Sequence, residues 1–194
     1  MVVWDLFVRF FHWALTAGFI VAYVTEGEPM WLHSWAGYAI VVLVVLRIAW
    51  GFIGPRFARF AEFLRPPGAV LACLFDLMRF RAQRYVGHSP AGGAMVLALL
   101  VLLAATSITG MVDLAMASGK GPLSYWLGPT PGIASTEIGE TEGDGEGGPL
   151  SDVHAALADI TLAFVLLHLV GVTLASIAHR ENLPRSMITG RKRP

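Results

Sequence analysis

The chain has 194 residues, 55% of them hydrophobic and only 14% charged, with a mean hydropathy of +0.62. A water-soluble domain of this size seldom spares so little charge, and no recognition motif accompanies the basic residues, so a nucleic-acid partner is not expected. A single cysteine, Cys73, excludes an internal disulfide, a CxxC metal site and the CxxCH attachment motif of c-type haem.

Apolar runs over 6–25, 33–53, 93–116 and 151–179 each approach the roughly 20 residues that a bilayer-crossing helix needs. They predict an all-α fold, an integral membrane four-helix bundle forming one domain over 1–194. The zero net charge conceals a sorting by segment. Six arginines fall between Arg56 and Arg84, and the tail holds Arg180, Arg185, Arg191, Lys192 and Arg193. The stretch 113–152 instead holds seven acidic residues against Lys120 alone. Thirteen of the fourteen basic residues share one side if both termini do, which places both termini in the cytoplasm, with the chain multi-pass in a bacterial inner membrane. Arg9 and His12 interrupt the first run, so a cleaved signal peptide is not expected.

The first helix carries His12 about two turns from its cytoplasmic end, with Arg9 one turn earlier and near the same face. Read alone, they fit a snorkelling arginine and an interfacial histidine in an aromatic belt of Trp4, Phe10, Phe11 and Trp13. The second helix opens with His33 on the external side. Arg47 follows fourteen residues later, on nearly the same face but near the cytoplasmic end. It suits an anionic partner, such as a haem propionate, or a stop-transfer charge. The cytoplasmic segment 56–85 is amphipathic, and its arginines with Phe57, Phe60 and Phe63 suit a helix lying on an anionic leaflet.

In the third helix, Gly92, Gly93 and Gly110 allow close approach of a backbone or a flat ligand. His88, just before it, reads as an interfacial residue. The external loop 117–150 begins apolar, with Tyr125 and Trp126 on the membrane surface, and turns acidic and glycine-rich. That second half is a solvated spacer or a negative patch for a basic soluble partner. The fourth helix carries His154 and His168, which at 3.6 residues per turn lie within about 40° of one face and about 21 Å apart in height. His179 reads as interfacial.

Four histidines thus fall at two depths, His12 with His168 inside and His33 with His154 outside, each pair from two helices. Histidines in hydrocarbon are costly and usually functional. Paired imidazoles at two levels suit two bis-histidine haems, low-spin centres that exchange electrons without binding oxygen. A metal transporter would want carboxylates or thiols at one depth, and Asp159 is the one acid expected to lie embedded in the membrane, Asp113 and Asp152 falling at span ends. A proton relay leaves the matched depths unexplained. A non-haem transporter remains the remote alternative and predicts a colourless protein.

The stretches VWDLFVRFFHW, HSWAGYAIVVLVVLRIAWGFIGPRFARF, GHSPAGGAMVLALL and LHLVGVTLASIAHRENLPRSMITGRKR resemble the prokaryotic cytochrome b561 family. That family includes the cytochrome b subunits of nickel-iron hydrogenases and a bacterial superoxide:ubiquinone oxidoreductase. The resemblance covers all four helices and the tail but not the long external loop. It implies a bundle holding two non-covalent b-type haems between its helices. Electrons would pass between a periplasmic redox partner, such as a c-type cytochrome or a hydrogenase, and ubiquinone or menaquinone. Carried over by position, His12 in FHW and His168 in LHLVGV would ligate the cytoplasmic-side haem, and His33 and His154 the outer one. Arg9 and Arg47 would contact propionates. Many relatives carry an acid directly after the histidine matching His154, where this chain has Ala155. The alternative within the family is an oxidoreductase acting directly on superoxide, which a basic outer funnel would favour over these acidic loops.

Overall fold

Local chemistry sets where the long helices start and stop. The computed structural model of the chain describes residues 2–26, 28–79, 81, 83–128 and 148–192. Helix α1 (Leu6–Val24) begins at Asp5, whose Oδ1 accepts the Val8 N–H at 3.0 Å and so satisfies a donor that a helix start leaves open. Helix α2 (Met30–Ile53) ends at Gly54, ahead of Pro55, because the residue before a proline is pushed out of the helical region. A 3₁₀ turn (Arg56–Ala58) and two short helices follow, α3 (Phe60–Phe63) and α4 (Pro67–Met78).

Helix α5 (Pro90–Ser118) has Ser89 as its cap, the hydroxyl accepting from Gly92 N–H at 3.1 Å, and Pro90 at its first position. It stops at Gly119, whose φ of +65° suits a residue without a Cβ. After one further turn, α6 (Ser124–Leu127), comes α7 (Pro149–Ala178), again opened by a proline. Asn182 then caps the short α8 (Leu183–Thr189) through the Arg185 N–H.

Among the described residues, four helices are long and apolar enough to cross a membrane: α1, α2, α5 and α7. Their outward faces are largely apolar, with Leu6, Trp35, Phe52 and Leu167 exposed. Such a surface belongs in hydrocarbon, where a helix already satisfies its own backbone. Packing runs in sequence, α1 on α2, α2 on α5 and α5 on α7. The core shared by the first three is Phe11, Ile40, Val44, Leu100 and Leu103. Helices α5 and α7 are also stitched by the Thr106 and Thr161 hydroxyls, 3.2 Å apart. Helix α7 makes no comparable approach to α1 or α2, so a slot separates it from that pair.

At one end of the bundle the Val3 and Trp4 N–H groups donate to Gly190 O at 2.8 and 3.2 Å, and Val2 bridges Arg191. We call this the clasp end and the opposite one the loop end. In the amphipathic segment 56–85, the stretch of Phe57, Phe60 and Phe63 forms a 3₁₀ turn and the short α3, and a break before Pro67 separates it from α4. Phe63 is 2% exposed and lies so close to Gly93 that a Cβ there would meet Phe63 O at 2.6 Å. Phe60 covers Gly51 in the same way. Gly93 therefore admits α3 rather than a ligand. The acidic stretch of the long loop lies in 129–147, outside the described residues.

Candidate functional site

The slot beside α7 is bridged by side chains at three levels. At the clasp end, the His12 ring of α1 and the His168 ring of α7 have centroids 6.5 Å apart. At the loop end, His33 of α2 and His154 of α7 have centroids 6.0 Å apart. Between them the Tyr23 hydroxyl donates to Asp159 Oδ1 at 2.9 Å, which pairs the acid that a membrane interior would otherwise leave exposed. Each histidine pair joins α7 to one of the first two helices.

The loop-end imidazoles are oriented by main chain. His33 Nδ1 lies 2.8 Å from Ala22 O, one of the last carbonyls of α1, which the helix itself leaves open. His154 Nδ1 lies 2.9 Å from Thr106 O and 3.3 Å from the Thr109 hydroxyl. A carbonyl only accepts, so both rings carry their proton on Nδ1 and leave Nε2 for a ligand-binding role. A metal-ligating histidine is typically held this way, its second nitrogen donating to a carbonyl or carboxylate that fixes the tautomer. Gly110 makes the reach possible. A Cβ at that position would come within 2.7 Å of His154 Cε1.

At the clasp end the setting differs. His12 Nδ1 is buried without a hydrogen-bond partner among the described residues, and so are Arg9 Nε, Arg47 Nη1 and His88 Nδ1. Arg47 is 2% exposed, with its guanidinium 5.3 Å from the centre of the Phe60 ring. Arg9 packs on Gly190, where a Cβ would meet its Nη1 at 3.2 Å. His88, expected at the interface, is instead wedged between Trp4 and Phe63, 4.7 Å from each ring.

The spacing and the imidazole donors would fit a metal macrocycle held between each pair. Two metal–imidazole bonds of about 2 Å each, with about 1 Å more from nitrogen to ring centre on either side, bring centroids to about 6 Å. Gly37, one turn beyond His33, and Gly171, three residues beyond His168, would each project a Cβ into open space with no atom within 4 Å. A model of prokaryotic cytochrome b561 matches residues 3–190. The chain belongs to that family. No curated protein and no solved structure matches it. The family's members are membrane b-type cytochromes of electron transfer, so this cytochrome is a multi-pass membrane protein that binds b-type haem.

Sequence reasoning had no access to the carbonyls of Ala22 and Thr106, because every residue carries one. Gly110 was visible as a close-approach residue but not as the seat of His154. For His88 the available signal was its position, directly before a Ser-Pro helix start.

Proposed function

We propose that this cytochrome holds two b-type haems, one between His12 and His168 and one between His33 and His154. In this reading it passes electrons between a soluble redox partner at the loop end and the quinone pool. When bound, such haems would supply one-electron exchange, with the paired imidazoles holding them. The observation that carries this reading is the pair of Nδ1–H donations, from His33 to Ala22 O and from His154 to Thr106 O, in a pair 6.0 Å apart. Hydrogen-bonded to main chain, these rings cannot turn their Nε2 atoms away without losing a buried bond, so the site is pre-organised.

The residues divide the work. His12 and His168 form the inner level, about 21 Å in helix rise from the outer one. Arg9 and Arg47 hold anionic substituents at the clasp end. Charge sorting sets the clasp end in the cytoplasm, since the tail and the Arg56–Arg84 stretch both carry arginines there. The loop end then faces the periplasm, where the acidic stretch of 137–146 favours a basic soluble partner such as a c-type cytochrome.

The test is haem per polypeptide by pyridine haemochrome, with a reduced-minus-oxidised spectrum of the detergent-purified chain. About two b-type haems per chain are expected by the ligand count. One haem overturns one of the pairs, and none in protein made with ample haem overturns the reading.

A further inference from the structure

The clasp end sets Arg9, Arg47 and His88 together, and none of the three is in an ion pair among the described residues. Arg47 is almost wholly enclosed, and the side chains of Arg9 and His88 each bury a nitrogen that nothing in the described residues meets. The described ion pairs, Arg56–Glu62 and Arg84–Glu181, involve none of the three. Asp5 is the acid whose charge reaches Arg47, but its carboxylate already caps α1 through Val8 N–H and faces Trp50 Nε1 at 3.5 Å. Burying an arginine without a counter-charge is costly enough that native proteins supply a partner. Among the described residues Asp5 is the acid that reaches Arg47, and an anion from outside the polypeptide would complete the balance.

The three groups are tied into one wall. Arg47 lies over Phe60, Phe60 packs on Phe63, and Phe63 packs on His88. The other face of His88 meets Trp4, whose carbonyl and Arg9 both close on Gly190. The wall stands at the end of the bundle where His12 and His168 face each other. We propose that Arg9, Arg47 and His88 form a carboxylate-binding site for the haem of the clasp end, with His88 as a positioning residue that donates Nδ1–H to one propionate. This rests on the dihaem reading above and extends it to a residue that binds no iron. Burial, with Arg47 and Lys192 nearby, pushes the His88 imidazole down to about 3. Its ring is therefore neutral near pH 7, with one N–H to give, and it adds directional bonding where the arginines add charge.

The experiment compares binding of protohaem and protohaem dimethyl ester to the haem-depleted full chain in nanodiscs, reading haem per chain and the reduction steps. In the wild type the ester is expected to lose about tenfold or more in affinity at one site only, as expected for a lost charge-assisted bond. His88→Phe keeps a ring between Trp4 and Phe63 and is expected to lower protohaem affinity at that same site while the other is unmoved. His88→Asn, which restores an N–H near the Nδ1 position, is expected to recover most of the loss. Equal binding of acid and ester by the wild type overturns the proposal and assigns the anion to a lipid phosphate or a free ion. Two intact, unshifted haems in His88→Phe overturn the role of His88. A wild-type chain that takes fewer than two haems refutes the dihaem reading instead, and the two failures are told apart by that count.

Discussion

The two ends of the bundle present the same pair of imidazoles in opposite settings. At the loop end both rings are anchored through Nδ1 to main-chain carbonyls, and the acids Asp113 and Glu26 are within electrostatic reach of His154. At the clasp end His12 Nδ1 meets no partner among the described residues, and Arg9 and Arg47 each bury a nitrogen that meets none there either. One end holds its imidazoles by hydrogen bonds, the other by packing beside buried arginines. Nδ1–H donation raises imidazole basicity and favours oxidised iron, whereas buried cations favour the reduced state by simple Coulomb attraction. On the proposed two-haem reading, two chemically identical ligand sets would hold electrons with different strength.

The bluntest way to break this comparison is to remove a ligand. His154→Ala is expected to lower haem content from about two to about one per chain, as is His168→Ala, each deleting one reduction step; haemochrome assay and redox titration check it. A smaller effect is expected from Gly110→Val. Its branched side chain occupies the seat of His154, so affinity at the loop end falls by about 10–100-fold while the clasp end is spared; haem titration of the depleted protein reads it. Third, spectroelectrochemistry is expected to give the clasp-end haem the higher midpoint potential. Arg47→Gln then narrows the gap by about 60 mV, one tenfold step in the electron equilibrium. Equal potentials in the wild type would remove the electrostatic half of the contrast. The smallest change is expected from Tyr23→Phe, which deletes the 2.9 Å bond to Asp159. Interhelical hydrogen bonds in membranes average about 0.6 kcal/mol, so unfolding in mixed micelles shifts slightly with both haems kept.

What could be read from the sequence follows from what physics makes periodic. Bilayer thickness demands long apolar runs, and these stand out in a chain so poor in charge. The fourteen-residue spacing of His154 and His168 is a consequence of 3.6 residues per turn, so their common face could be calculated. The geometry around them could not. Phe57, Phe60 and Phe63 share a spacing that marks a face, yet nothing in the spacing says whether lipid or protein covers it. Pro66–Pro67 stops the helix, and α3 folds back so that Phe63 lies against Gly93 and His88. His88 then becomes part of a buried wall through contacts with Trp4 and Phe63, residues 84 and 25 positions away in the chain. Long-range burial of this kind leaves no local pattern. The negative patch expected beyond Ser135 falls in the stretch outside the described residues.

Helix α7 supplies one imidazole to each pair, while α1 and α2 supply the other two. The order of synthesis therefore constrains the order of assembly. Neither pair exists while only the first three membrane helices have been inserted, since the last to leave the ribosome carries half of both. On the proposed two-haem reading, cofactor capture would be a late event, coupled to lateral docking of a helix already in the bilayer. A nascent chain would then load neither level before α7 arrives, and a failure of α7 to dock would leave both levels empty together.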